Sequence, residues 1–343
     1  MTRKRVSIIV VAAVSTCLIA GSAFGSTVAN AASLTGAGST LVAPLEGAWA
    51  IDFERRYGES ITYAAVGSGT GIAQITARTV DFGASDAPLT PAQAAACNRC
   101  IQIPWALGAA GISYNLPGVR NLHLTGPVIA SIYQGKITSW NAPAIAKLNK
   151  GVKLPAMKIT PVFRSDGSGD TYAFTDYLSR ISSAWRSQVG FATTVSFPTG
   201  VGGKGNQGVT ALVASTPGSI GYITTSYIIA HHLNAAALQN AAGKFVFPNL
   251  KNIEQAGAAV KHVPANNEMH IVNPSRKYKA AYPISTFTYC IVPLGSPKKN
   301  LLASWVYYAL STGQAFGPAL DLAPIPKVVF NAGVKSVRAL QAS

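Results

Sequence analysis

The chain has 343 residues, a formal net charge of +16 from 28 Lys and Arg against 12 Asp and Glu, and 48% hydrophobic residues. Disordered chains are apolar-poor and charge-rich, so this composition is that of a folded protein with ample core. Collagen-like and coiled-coil compositions are excluded, and so is a polytopic membrane protein, because only one early stretch is long and apolar enough to span a bilayer.

That stretch is N-terminal. Arg3, Lys4 and Arg5 precede an apolar run over 6–24, and Ala29-Asn30-Ala31 is an A-x-A cleavage site. Together they read as a cleaved signal peptide over 1–31, placing the protein in the periplasm or on the cell surface. Cys17 follows Val14-Ser15-Thr16, a poor lipobox, so lipoprotein anchoring through Cys17 is not expected. Cleavage removes three basic residues and no acidic one, and the remaining positive excess favours anionic partners. The basic residues are scattered, the densest groups being Arg55-Arg56, Lys298-Lys299 and Arg276-Lys277. No basic run is interleaved with aromatics, so nucleic acid is not an expected partner.

Along the mature chain, strand-like and helix-like segments alternate. Residues 60–66 read as a strand, 71–78 as a short helix, 79–85 as a strand or turn, and 101–105 and 107–114 as strand-like. Helical patterns follow over 44–57, 127–134 and 171–181, the last with Phe174, Tyr177, Leu178 and Ile181 on one face. Residues 159–163, 220–223 and 289–292 read as strands, and 301–310 as an apolar helix. This alternation predicts an α/β fold with helices against a sheet. No repeat or low-complexity linker interrupts it.

Three Gly-Ser-Thr segments each stand directly before a helix. They are Thr35-Gly36-Ala37-Gly38-Ser39-Thr40-Leu41, Gly67-Ser68-Gly69-Thr70-Gly71 with its helix opening at Ile72, and Asp166-Gly167-Ser168-Gly169-Asp170-Thr171 with its helix opening at Tyr172. Helix starts carry unpaired N–H groups and a partial positive charge, which suits anions. Arg164 stands two residues before Asp166, where a guanidinium could grip an oxyanion bidentately and the carboxylate could orient it. Asp86 would repel an anion unless the ligand brings a proton to share.

Cys97 and Cys100 are spaced C-x-x-C. In an exported chain with no second ligand pair for zinc, a structural disulfide is the expected reading. Cys290 lies in an apolar strand and reads as a buried free thiol.

The sequence resembles the extracytoplasmic phosphate-binding proteins (PstS) of the high-affinity phosphate ABC transporter. The residues that carry the resemblance begin with Leu34-Thr-Gly-Ala-Gly-Ser-Thr40, Gly67-Ser-Gly-Thr-Gly71 and Thr79-Val-Asp-Phe-Gly-Ala-Ser-Asp-Ala-Pro88. They continue with Arg164-Ser-Asp-Gly-Ser-Gly169, Gly202-Gly-Lys-Gly-Asn206 and Pro217-Gly-Ser-Ile-Gly-Tyr222. The resemblance implies a two-lobed, periplasmic-binding-protein-like α/β fold of type II. Lobe 1 would take 32–107 and return over 285–343, lobe 2 would take 108–284, and the ligand would lie in the cleft between them. It also implies a phosphate site of Thr40, Leu41, Ser68, Asp86, Arg164, Ser168, Gly169 and Asp170, with Asp166 behind Arg164. Asp170 departs from the commoner family pattern, since many members have a hydroxyl residue there, usually Thr, and a donor becomes an acceptor. The implied function is phosphate binding and delivery to the permease subunits for import, by a monomer that is no enzyme and needs no cofactor and no metal. Sulfate or molybdate binding, or an exported serine hydrolase using Ser68 or Ser168, are the alternatives. The hydrolase lacks a G-x-S-x-G elbow or a His in any serine motif.

Overall fold

The computed structural model describes residues 33–343, so the signal-peptide reading of 1–31, with Cys17, lies outside the described residues. The strands are β1 (Ser33–Gly38), β2 (Ser60–Ala64), β3 (Phe82–Ser85), β4 (Cys100–Tyr114), β5 (His123–Leu124) and β6 (Thr160–Arg164). They continue with β7 (Val201–Gly203), β8 (Ser219–Thr224), β9 (Asn234–Ala235), β10 (Ala237–Gln239), β11 (Phe245–Val246) and β12 (Ser285–Pro293). One mixed sheet runs β2-β1-β3-β12-β4-β8-β6-β7, with β9 also on β4, and a small sheet runs β11-β10-β5.

Pairing is parallel among β2, β1 and β3 and among β7, β6 and β8. Parallel neighbours need long crossovers, and helices Ala43–Tyr57, Ser68–Thr76, Gly169–Ile181 and Gly205–Ser215 supply them. Between the two parallel sets, β12 and β4 run antiparallel.

β4 joins the two halves of the sheet. Residues Cys100 to Ala109 pair with β12, and Ala110 to Tyr114 pair with β8. The sequence suggests two pieces here; the structure has one strand of 15 residues. Its Ala and Gly side chains are too small to mark a helix or strand period, and nearly all of it is buried. Residues before β4 and after Ser285 build β2-β1-β3-β12, and those in between build β8-β6-β7.

Each half has its own aromatic core. In the first, Trp49 meets Trp105 edge-on at 5.4 Å and Phe53 meets Trp305 at 5.2 Å. In the second, Phe174 stacks on Tyr222 at 4.4 Å and Tyr133 meets Phe174 at 4.9 Å. These geometries suit the ring quadrupole and add to plain area burial.

Three expected boundaries move. The first Gly-Ser-Thr segment is mostly strand, because β1 pairs on both sides and Gly36 lets the Phe82 ring lie against its backbone. The second and third helices begin at Ser68 and Gly169 rather than at Ile72 and Tyr172. The last helix, Lys327–Ala342, has no counterpart in the sequence reading, although Val329, Gly333, Val337 and Leu340 form its buried face at helical spacing. Cys97 and Cys100 are bonded to each other just after helix Pro91–Ala96, and Cys290 is free and buried.

Candidate functional site

The loops at the ends of β1, β3 and β6 converge with the starts of helices Ser68–Thr76 and Gly169–Ile181. β1 and β3 run toward the middle of β4 from one side and β6 runs toward it from the other, so the polar residues at their ends meet where the two halves of the sheet join. Two glycines permit the approach. A Cβ on Gly169 would stand 2.3 Å from Cβ of Asp86, and one on Gly67, whose φ is +94°, would stand 2.3 Å from Oδ2 of Asp166. Any larger residue at either position would hold the halves apart.

Asp86 belongs to the first half. Its Oδ1 accepts from the Ser39 hydroxyl at 2.5 Å and the Thr288 hydroxyl at 2.7 Å, and its Oδ2 accepts from the Ser68 hydroxyl at 3.3 Å. Arg164 belongs to the second half. Its Nε and Nη2 donate to the two oxygens of Asp166 at 2.7 and 2.5 Å, and its Nη1 donates to Oδ2 of Asp170 at 2.9 Å. A guanidinium has five N–H donors. Three are engaged here, which leaves one on Nη1 and one on Nη2 for an oxyanion.

Asp170 does not cap its helix. Ser168 does, its Oγ accepting from the Thr171 N–H at 3.3 Å. Asp170 turns into the cluster, where Oδ2 also accepts from Nδ2 of Asn206 at 2.7 Å and Oδ1 accepts from the Thr224 hydroxyl at 3.1 Å. The Gly169 N–H donates to the Ser68 hydroxyl at 3.1 Å, across the two halves. Thr40 accepts from the Asn206 backbone and side chain, and the Leu41 N–H donates to Ser39 at 3.0 Å. Tyr222 accepts from the Arg164 N–H at 2.9 Å and lies 2.7 Å from the Thr171 hydroxyl, pinning the end of β6 to the helix that follows.

Thr40, Leu41, Ser68, Asp86, Arg164, Ser168 and Asp170 are all buried, none more than 5% exposed. Charges here are therefore poorly screened. Burial first, and then the Asp170 carboxylate, push Asp86 up to about 7 against the hydroxyls of Ser39 and Thr288. Burial likewise raises Asp170, against the pull of Arg164. Burial would raise Asp166 too, but its two bonds from Arg164 and the guanidinium charge hold it below the ordinary carboxylate range.

The structure thus brings together all eight expected site residues and Asp166. Sequence reasoning missed Ser39, Asn206, Thr224 and Thr288. Asn206 ends the quoted Gly-Gly-Lys-Gly-Asn segment, a usable signal; Thr224 and Thr288 stand in strands with nothing local to mark them. A groove of about 510 Å³ between Leu89, Gln102, Glu268 and Lys335 lies away from this cluster. Its Gln102 is committed to the Leu89 N–H and the Asn266 carbonyl.

The family model of the PBP superfamily domain matches residues 25–312. The phosphate-binding protein PstS of Pasteurella multocida is 37% identical over 305 residues, covering 88% of this chain and 88% of that protein. The PstS protein of Haemophilus influenzae is 38% identical over 305 residues, covering 87% of this chain and 90% of that one. A solved structure of a phosphate-binding protein from Stenotrophomonas maltophilia superposes with a TM-score of 0.65 at 19% identity, covering 89% of this chain and 94% of that one, which shows a shared fold. The likeness extends over both halves of the sheet and every loop of the cluster, and the chain belongs to the PstS phosphate-binding proteins of the PBP superfamily, with their two-lobed α/β fold.

Proposed function

We propose that the protein binds inorganic phosphate outside the cytoplasm and delivers it, as a monomer, to the permease subunits of an ABC transporter for import. The observation that carries this is Arg164. It is a buried guanidinium held from behind by Asp166, with two N–H donors left over, and Asp86 faces it from the opposite half. Backbone and hydroxyl donors at Thr40, Leu41, Ser68, Ser168 and Gly169 would complete the ligand shell, with ligand entry replacing the bonds that the Leu41 N–H, the Gly169 N–H and the Ser68 hydroxyl now make to Ser39, Ser68 and Asp86. The named relatives support the same ligand.

We place the lobe boundary between Ala109 and Ala110, where β4 changes partner, two residues beyond the sequence-based limit, with the return at Ser285. Closure then brings Gly169 and Asn206 onto Ser68 and Thr40. Binding without chemistry fits the cluster, because neither Ser68 nor Ser168 has a histidine as hydrogen-bond partner.

Asp86 selects for a protonated oxyanion, since a fully ionised one would meet a buried carboxylate with nothing to donate. Calorimetric titration of the mature protein should show phosphate and arsenate binding and sulfate failing. Asp86→Asn should narrow that difference. Equal wild-type binding of sulfate and phosphate would overturn the reading.

A further inference from the structure

The cluster is unusual for an anion site in its sum of charges. Its carboxylates are Asp86 at the end of β3, Asp166 after β6 and Asp170 on helix Gly169–Ile181. Against them stands Arg164, the single buried cation among the described residues. Lys204, before helix Gly205–Ser215, is exposed. The other elements packed on the site bring Tyr63 from β2, Cys290 from β12, Tyr222 from β8, Tyr227 from helix Thr225–Ala230 and Glu46 from helix Ala43–Tyr57, each raised chiefly by burial toward its neutral form. With all three carboxylates ionised, the site is net negative before any ligand enters.

The hydrogen bonds sharpen this into a count. An ionised carboxylate has about four acceptor positions, two per oxygen. On Asp86, Oδ1 is filled by Ser39 and Thr288, and Oδ2 holds Ser68 alone. On Asp170, Oδ2 is filled by Arg164 and Asn206, and Oδ1 holds Thr224 alone. Each carboxylate therefore keeps one open acceptor position. Two open acceptors call for two O–H donors. H₂PO₄⁻ has two. HPO₄²⁻ has one, and would set a bare oxygen of a dianion against the remaining carboxylate in a desolvated site.

Resting on the phosphate reading above, we infer that this protein takes up phosphate with one proton more than HPO₄²⁻ carries, so that the bound species is in effect H₂PO₄⁻ shared between Asp86 and Asp170. Asp170 is the residue that sets this choice. With a hydroxyl in its place only one carboxylate would remain open, and either ionic form would fit. Where the solution ligand is the dianion, the extra proton comes from water, and Asp86 is the group already poised to hold it near neutral pH.

The test is phosphate affinity and proton uptake against pH for the wild type, Asp170→Thr and Asp170→Asn. One extra proton per phosphate makes wild-type Kd rise about tenfold per pH unit above about pH 7.5, where the dianion dominates. Calorimetry at about pH 8 in two buffers of different ionisation heat should then give about one proton taken up per phosphate. Both variants should lose the slope and most of the uptake, and should still discriminate against sulfate, since Asp86 remains. Should both variants fail to fold, the wild-type proton count decides alone. Tight wild-type binding that is flat with pH, or an equal slope in wild type and variants, would overturn the inference and leave the phosphate reading standing. No phosphate binding at any pH would overturn both.

Discussion

Asn206 holds the Thr40 hydroxyl twice, through its backbone N–H at 3.2 Å and its side-chain Nδ2 at 2.9 Å. Thr40 follows β1 in one half of the sheet and Asn206 opens a helix of the other, 166 residues away in sequence. The same Nδ2 donates to Asp170, and the side-chain Oδ1 of Asn206 accepts from the Thr224 N–H at 2.8 Å. One side chain thus ties the first half to the second and fixes the rotamer of Asp170.

Asn206→Ala should therefore weaken phosphate binding more than it weakens the fold. It leaves Asp170 and the Thr224 N–H each short of a partner, and a buried group without its hydrogen bond typically costs about 1–3 kcal/mol. Dissociation should speed up by about tenfold or more, the lost tie acting on the closed form. Stopped-flow release of phosphate reads this directly; an unchanged off-rate would show that Asn206 has no part in closure.

Arg164→Ala should be the most damaging single change in the site. Truncating one partner of a buried, hydrogen-bonded charge pair costs about 2–5 kcal/mol, hence at least about 30-fold in phosphate affinity. It also leaves Asp166 and Asp170 facing each other without their cation. Arg276→Ala, on the exposed surface, should change little. Equal losses from both substitutions, measured by calorimetry, would assign the attraction to general surface charge.

Glu46 makes a prediction about stability rather than binding. It is fully buried in helix Ala43–Tyr57, neither carboxylate oxygen has a partner, and burial pushes its carboxyl well above the ordinary range. Below the ordinary carboxylate pKa, folded and unfolded chains both hold this proton. Above it the unfolded chain releases the proton first, so stability falls as pH rises until Glu46 ionises in the fold. Asp86 adds a contribution of the same sign up to about pH 7. Glu46→Leu should remove the first contribution, flattening Tm against pH and raising Tm at neutral pH by about 2 °C or more. An unchanged or lower Tm would mean that Glu46 has an unseen partner worth its burial.

The sequence by itself determined the α/β alternation, the C-x-x-C pair and the polar loops that meet in the cluster. These are local matters: small residues and hydroxyls before a helix, or a strand that ends in Arg-x-Asp, declare themselves within a few positions. Tertiary structure decided what each of those residues faces. An Asp in the first turn of a helix can cap it or turn away, and Asp170 enters the cluster because Ser168 takes the cap and Arg164, Asn206 and Thr224 offer it three donors from other elements. Ser39 and Thr288 are ordinary polar residues until β1, β3 and β12 are laid side by side and bring both hydroxyls onto one oxygen of Asp86. β4 was equally hidden, since its partner changes from β12 to β8 in mid-strand through a run of Ala and Gly with no pattern to mark it. A hydrogen bond between distant segments depends on strand order and register, which only the packed sheet fixes.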